Sequence, residues 1–256
     1  MRFLLTIQYV GTRYAGWQTQ SNATGVQQIV EQALSTMCGQ RVRIEGASRT
    51  DSGVHALGQR AHADLPIDID SQGLVRGLSD LLPPDIRAVE ARIVDSSFHA
   101  RFNATAKTYV YQIWNGPVAD VFRRETHAHV RTRLNLTAMR EAAGSLIGEH
   151  DFRSFTVLNT ERSSTIRTIE EACVDGDDDV IRLFIRGNGF LRFMVRRIAG
   201  SLIEVGRESV PSDAIGRALE PEFGEARWTA PAEGLTLLSV RYSEWPAGPV
   251  NLPFSS

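Results

Sequence analysis

The chain has 256 residues, of which 42% are hydrophobic and 23% charged, with a formal net charge of −2. This composition is ordinary for a globular protein, and no stretch approaches the ~20 apolar residues that a membrane-spanning helix needs. The near-neutral charge argues against nonspecific coating of nucleic acid but is compatible with a local basic cleft.

The spacing of apolar residues predicts an alternation of strands and helices. The start of the chain is too polar after its first residues for a signal peptide, and we expect a strand there. In chain order the predictions are strand 3–9, helix 26–37 ending at Gly39, strands 41–45 and 59–65, helix 70–82, strands 86–94 and 107–114, helix 136–147 capped by Asn135, strands 166–174 and 180–186, helices 190–206 and 211–220, and strand 235–242. Residues 243–256 are expected to form a surface segment.

This order of elements is typical of an α+β protein built from two related halves. No linker rich in Pro, Gly or Ser separates the halves, and the junction is expected near residues 100–107. We therefore expect one domain over 1–105 and a second over 106–256.

The cysteines and histidines give no sign of a structural metal. The only cysteines are Cys38 and Cys173, which we interpret as reduced thiols of a cytoplasmic protein. The six histidines show no spacing typical of zinc ligands. We therefore expect no structural metal site.

A polar, glycine-bracketed stretch at residues 46–56 contains the strongest candidate for chemistry, Asp51. Gly46 and Gly53 permit a tight loop with its backbone close to a ligand. Arg49 could hold the carboxylate of Asp51 ionised, and an ionised carboxylate can act as a nucleophile or a general base. A turn aspartate that bonds its own backbone is the commoner interpretation of such a residue taken alone.

Six segments, in order along the chain, change that balance. Residues 46–56 resemble the catalytic motif of the tRNA pseudouridine synthase A (TruA) family, whose usual form is Gly-Arg-Thr-Asp-x-Gly-Val-His-Ala. The other segments similar to that family are 9–18 (Tyr-Val-Gly-Thr-Arg-Tyr-Ala-Gly-Trp-Gln), 98–101 followed by 106–111, 150–155, 189–196 with Gly200 and Gly206 following, and 230–235. The resemblance therefore covers nearly the whole chain.

The resemblance implies roles for individual residues. Asp51 would be the nucleophile, and Arg49 would help to flip the target nucleotide and hold the site. Tyr109 would stack on the target base, Arg196 would pair with the aspartate, and Leu235 would lie beside the base. The implied fold is α+β, with two ferredoxin-like halves whose antiparallel sheets are joined side by side, helices on one face and a catalytic cleft between the halves.

The family acts without a cofactor on uridines at tRNA positions 38–40 in the anticodon stem-loop, as a homodimer. Loop arginines are candidate phosphate contacts, although each taken alone is more often a solvated surface residue: Arg13, Arg101, Arg153, Arg162 and Arg167. The chain departs from the family pattern at Val10, Ser48 and Ser79, and none of these removes a proposed catalytic group.

Three classes of function are therefore compared. The first is a tRNA pseudouridine synthase, in which the aspartate attacks C1′, attacks C6 or drives a glycal-like step. The second is an RNA-binding protein of the same fold that has lost catalysis, which the intact Asp51 and Tyr109 argue against. The third is an unrelated carboxylate enzyme such as a glycosidase, which needs a second carboxylate that the 46–56 segment lacks.

Overall fold

The computed structural model describes residues 1–157, 164–176, 179–220 and 226–244. The strands are β1 (Arg2–Tyr9), β2 (Glu45–Gly46), β3 (His55–Asp64), β4 (Ile86–Val94), β5 (Ala104–Trp114), β6 (Ala128–His129), β7 (Gly148–Asp151), β8 (Ile166–Gly176), β9 (Val180–Gly187) and β10 (Leu235–Tyr242). The helices are α1 (Val26–Cys38), α2 (Ser71–Leu81), α3 (Leu136–Gly144), α4 (Met194–Gly206) and α5 (Ala214–Ala218). The mixture of helices with mostly antiparallel strands confirms the α+β prediction.

Contacts within the chain group it into two compact units, one of residues 1–105 with 237 onward and one of residues 106–236. In the first unit the strand order is β4-β1-β3-β10, and β2 pairs with the edge of β3. Strands β1, β3 and β4 pair antiparallel. Helix α2 packs on β4 and α1 packs on α2, burying apolar residues such as Val30, Leu34, Leu74 and Leu78.

The second unit has its own antiparallel sheet, in the order β5-β9-β8-β7, with β6 parallel to β5. Alternate residues of β9, namely Ile181, Leu183 and Ile185, are buried. Helices α3, α4 and α5 contact one another, and α3 also packs on β8. Most residues of α4 are buried, as its apolar sequence predicts.

The predicted helix boundaries are confirmed at two caps. Gly39 ends α1 with φ +64°, and the Asn135 side chain accepts a hydrogen bond from the Ala138 amide at 3.1 Å. The prediction of a helix over 190–206 is wrong at its start, because Phe193 has φ +62° and α4 begins only at Met194. Across the described residues, no helix is long and apolar enough to cross a membrane.

The predicted strand 41–45 is also wrong for most of its length. Val42 and Ile44 are buried as alternation requires, but their amides donate to side chains of α1: to Ser35 Oγ at 2.9 Å and to Glu31 Oε1 at 3.1 Å. Because these side chains occupy the positions of a partner strand, ladder pairing starts only at Glu45. The predicted surface segment lies, beyond residue 244, outside the described residues.

Candidate active site

Asp51 is the first residue of a tight turn that leads into β3. The Val54 amide donates to the Asp51 carbonyl at 3.1 Å, and Gly53, the third residue of the turn, has φ +81°. A turn of this kind requires a positive φ at its third residue, which glycine adopts without strain. The side chain of Asp51 is half-buried, and the backbone around it is fixed by the turn.

The 9–18 segment holds this turn from one side. The Gly53 amide donates to the Tyr14 carbonyl at 3.2 Å, and the Gly11 amide donates to His55 Nδ1 at 3.0 Å. A Cβ atom at Gly11 would lie 2.0 Å from the Val54 carbonyl oxygen, so only glycine fits there. Two of the segments that carry the family resemblance, about 30 residues apart in the printed sequence, thus form one structure.

Thr50, the residue before Asp51, is held in place by two hydrogen bonds. Its carbonyl accepts from the Trp17 amide at 3.2 Å, and its hydroxyl shares a 2.9 Å hydrogen bond with the Tyr9 hydroxyl. Gly16 lies directly against this carbonyl with φ +86°, and a Cβ there would be 2.3 Å from the oxygen. The position of the Asp51 backbone is therefore set by residues on both sides of it.

Arg49 does not pair with Asp51 as their spacing suggested. Its side chain is exposed and makes no hydrogen bond or ion pair with any residue that the structure describes. Proximity along the chain does not by itself orient two side chains toward each other. The guanidinium is therefore available for a ligand.

Arg13 belongs to a small polar cluster under the same segment. It forms an ion pair with Asp85, which also accepts a 2.7 Å hydrogen bond from the Tyr14 hydroxyl. Burial raises the pKa of Tyr14 to about 12, and the bond to Asp85 acts in the same direction. Burial alone would raise the pKa of Asp85, but the bonds from Tyr14 and Arg13 outweigh it and hold that pKa below its usual value. The cluster fixes Tyr14, whose carbonyl holds the Asp51 turn.

Tyr109 lies on β5 in the second unit. Only 4% of its surface is exposed, and its ring meets Phe190 edge-on, with centroids 5.1 Å apart and planes at 80°. Phe190 is half-buried in the irregular segment between β9 and α4. The predicted base-stacking residue is thus covered by its neighbours.

Arg196 is held on α4 by the segment that leads to β10. Its Nε donates to the Ala230 carbonyl at 2.9 Å, and its guanidinium carbon lies 5.4 Å from the ring centroid of Phe193. The Ala230 amide donates back to the Arg196 carbonyl at 3.0 Å. Leu235, five residues further on, is buried. The structure thus connects two of the predicted site segments, 189–206 and 230–235.

Tyr111 was not predicted from the sequence and supports this arrangement. Its ring is fully buried, and its hydroxyl donates to the Pro231 carbonyl at 2.9 Å. A Cβ at Gly234 would lie 2.6 Å from the ring, so the segment fits closely over the tyrosine. Burial raises the pKa of Tyr111, and the charge of Glu233 adds to the effect. The signal in the sequence was its spacing of two from Tyr109, which places both rings on one face of β5.

The remaining candidate arginines lie in different settings. Arg101 is exposed, with its guanidinium 5.6 Å from the ring centroid of Phe102. Arg153 donates from Nε to Asp151 at 2.8 Å, while Arg167 donates to the Ser164 carbonyl. Burial lowers the pKa of Arg167. Arg162 lies outside the described residues.

Three or more potential metal ligands do not cluster anywhere in the part of the chain that the structure describes. The site residues therefore offer one carboxylate in a fixed turn, exposed and half-buried arginines, and a covered tyrosine. Arg49 and Asp51 lie in the first unit, and Tyr109, Arg196 and Leu235 lie in the second.

Comparison with known proteins decides the family. A family model described as tRNA pseudouridine synthase matches residues 5–103 and 142–243. The chain belongs to this family. The tRNA pseudouridine synthase A of Myxococcus xanthus is 39% identical over 247 residues, covering 96% of this chain and 93% of that protein. The enzyme of the same name from Ruminiclostridium cellulolyticum is 42% identical over 241 residues, covering 93% of this chain and 98% of that protein.

A further relative, the tRNA pseudouridine synthase A of Pseudoalteromonas translucida, is 40% identical over 260 residues and covers 99% of this chain and 98% of that protein. A solved Cbf5–Nop10–Gar1 complex gives a TM-score of 0.33 at 10% identity, covering 94% of this chain and 59% of that one, and supports no conclusion. The resemblance found in the sequence is thus confirmed. This pseudouridine synthase is an isomerase that modifies tRNA, and the glycosidase alternative is wrong.

Proposed function

We propose that this pseudouridine synthase isomerises uridine at positions 38–40 in the anticodon stem-loop of tRNA, with Asp51 as the nucleophile. One observation carries the assignment of Asp51: the 9–18 and 46–56 segments, both typical of the family, lock together around its turn. A carboxylate whose backbone is held at both ends is already positioned for attack. Preorganisation of this kind lowers the entropy cost of reaching the transition state.

The chemistry needs no added atoms. The C1′–N1 bond breaks, the uracil turns, a C1′–C5 bond forms, and the proton lost from C5 is balanced by one gained at N1. Asp51 would attack C1′ or C6, or drive loss of the base through a glycal-like step. All three routes use the same ionised carboxylate.

The target base must first leave the stack, at a cost of a few kcal/mol. Arg49 suits the role of stabilising the flipped nucleotide, because its guanidinium is exposed and has no partner among the described residues. Arginine binds phosphate through paired N–H donors and also stacks on bases. We assign it to the nucleotide rather than to the nucleophile.

Tyr109 would stack on the target uracil, recovering ~1–3 kcal/mol of the flipping cost. Since only 4% of its surface is exposed, a neighbouring side chain must move before a base can reach the ring. Phe190, half-buried and outside the regular elements, is the neighbour that we expect to move. Leu235 would supply an apolar contact beside the base.

Arg196 would keep the nucleophile ionised during catalysis, since a carboxylate in a dry site needs a compensating charge. Its Nε already donates to Ala230, which orients the guanidinium before substrate arrives. The exposed arginines Arg13, Arg101 and Arg153 are proposed phosphate contacts.

The wider setting is also proposed by resemblance to the family: two ferredoxin-like halves, a homodimer that binds tRNA, and a cytoplasmic location. Both cysteines, Cys38 and Cys173, are free thiols, as a reducing compartment would maintain them. No cofactor or metal is proposed.

The direct test is release of tritium from C5-labelled uridine in an undermodified tRNA. Wild-type protein should release tritium, and Asp51→Asn should abolish release while tRNA binding stays within about twofold. Asp68→Asn is the matched control, because Asp68 is an exposed carboxylate of the same unit. Substantial turnover by Asp51→Asn would overturn the nucleophile assignment, and release from uridines outside 38–40 alone would overturn the site assignment.

A further inference from the structure

Three aromatic rings of the first unit contact one another in sequence at tilted angles, and the last of them lies at the protein surface. His62, buried on β3, lies against His99 with ring centroids 4.7 Å apart. His99 in turn lies against Phe102, with centroids 4.3 Å apart and planes at 37°. Phe102 is 76% exposed, so most of its surface is open to solvent. The phenyl ring of Phe102 therefore contacts His99 but remains largely exposed.

The loop that carries Phe102 is held by hydrogen bonds rather than by burial. The His99 amide donates to Asn103 Oδ1 at 2.7 Å, and the Asn103 amide donates to the His99 carbonyl at 3.0 Å. The Ala100 amide donates to His62 Nδ1 at 3.2 Å, which ties the loop to β3. An exposed ring on such a loop is ordered before any ligand arrives, so binding to it loses little conformational entropy.

The neighbouring cation, the guanidinium of Arg101, lies over the Phe102 ring, 5.6 Å from its centroid. It has no carboxylate partner among the described residues. An aromatic face beside an unpaired arginine is the combination that binds single-stranded nucleic acid, by base stacking and phosphate contact. Binding of a second copy of the chain would also bury the Phe102 ring. Unlike the binding of nucleic acid, however, it would give no reason for an arginine without a carboxylate partner beside the ring.

A second phenylalanine that is highly exposed among the described residues provides a contrast. Phe122, in the second unit, is 89% exposed. The arginines beside it are already engaged: Arg123 pairs with Asp120, and Arg124 lies 3.5 Å from Glu125. Both phenylalanines are thus exposed, but of the two only Phe102 lies beside an arginine that has no carboxylate partner among the described residues.

We propose that Phe102 is a stacking platform for an unpaired base of the tRNA other than the target uridine, with Arg101 on the adjacent phosphate. An unpaired base is required, because a base within a helix has both faces covered. The inference rests on the proposed function only in taking tRNA as the ligand. Phe102 would contribute to affinity and to KM, and would touch no reacting atom.

The test measures binding of an undermodified tRNA transcript by wild-type protein and by Phe102→Ala, Phe102→Leu and Phe102→Trp. Loss of stacking should weaken binding about 5- to 150-fold in the alanine and leucine variants, and tryptophan should restore it. Phe122→Ala, the matched control, should bind like wild type. Because the ring buries little, all variants should melt within about 2 °C of wild type.

Salt dependence separates stacking from charge. The slope of log affinity against log salt should be unchanged in Phe102→Ala, whereas Arg101→Ala should reduce the slope by about one. Sedimentation of each variant without tRNA should show an unchanged oligomeric state.

Three results would overturn the proposal: wild-type affinity in Phe102→Ala, leucine that binds as well as phenylalanine, or a change of oligomeric state that accounts for the loss. If wild type binds tRNA but releases no tritium, the proposed reaction fails while this inference stands. If wild type is active and Phe102→Ala binds normally, the inference alone fails.

Discussion

Replacing Tyr111 by phenylalanine tests whether the segment before β10 positions Arg196. The change deletes one oxygen from a fully buried ring and breaks its 2.9 Å hydrogen bond to the Pro231 carbonyl. A buried orphaned carbonyl would cost about 1–3 kcal/mol, but Pro231 is exposed, so water can replace the hydroxyl. We therefore expect a loss in unfolding free energy of only about 0.5–1.5 kcal/mol, the net value of one hydrogen bond.

The expected effect on catalysis is larger than this stability loss implies. Ala230, next to Pro231, accepts the bond from Arg196 Nε at 2.9 Å, so a loosened segment releases the guanidinium. Small displacements of groups that act in catalysis are costly. We expect kcat for tritium release to fall about tenfold, equivalent to about 1.4 kcal/mol, while KM changes by less than about twofold.

The control is Ile181→Val, a buried residue of the same unit on β9. This variant should lose a similar ~0.5–1.5 kcal/mol through a lost methylene group and keep its kcat. Denaturant unfolding gives the stability of each variant, and single-turnover assays with saturating enzyme give the rate of the chemical step. Equal kcat values for Tyr111→Phe and wild type, at a measurably lowered stability, would refute the positioning role.

Two further predictions concern stability. Gly16→Ala should lower the free energy of unfolding by more than about 2 kcal/mol, because the residue has φ +86° and its Cβ would lie only 2.3 Å from the Thr50 oxygen. The control Gly39→Ala has φ +64° but nothing within 4 Å of its Cβ, and should lower the free energy of unfolding by about 1 kcal/mol. Equal losses in the two variants would contradict the close fit around Asp51. Burial, with Arg123 nearby, lowers the pKa of His127 to about 4, so the unfolded chain binds more protons between that value and the ordinary pKa of about 6.5. The contribution of His127 to stability is therefore complete above pH 6.5 and is lost as the pH falls toward 4. His127→Gln should have a smaller decrease in Tm between pH 7.5 and pH 5 than wild type. An equal decrease in the two proteins would contradict the lowered pKa of His127.

Local patterns in the sequence predicted most elements, because burial of alternate or every third and fourth residue is a local property. The Asn135 and Gly39 caps were predictable for the same reason. The segment 41–45 was not, since Val42 and Ile44 alternate like a strand but bond to side chains of α1, and only the tertiary structure supplies those partners.

The site shows the same division. The sequence singled out Asp51 through the family resemblance, and the structure adds the reason for Gly11 and Gly16, which lie against the backbone of the turn. Pairing between Arg49 and Asp51 could not be judged from their spacing, because the direction of a side chain depends on backbone angles. Tyr111 could not be singled out from the sequence, because the partner of its hydroxyl, the Pro231 carbonyl, lies 120 residues away.

The place of β10 has a consequence for biosynthesis. This strand pairs with β3 in the unit that holds the Asp51 turn, yet it is among the last described segments to leave the ribosome. At about 5–20 residues per second, the part of the β3 edge that β2 leaves unpaired stays open on the order of 10 s or longer while the second unit is being synthesised. An unpaired edge can recruit strands from other nascent chains. The unit that carries the Asp51 turn is thus completed only after the second unit has been synthesised, and we expect chaperones to protect the open β3 edge during that interval.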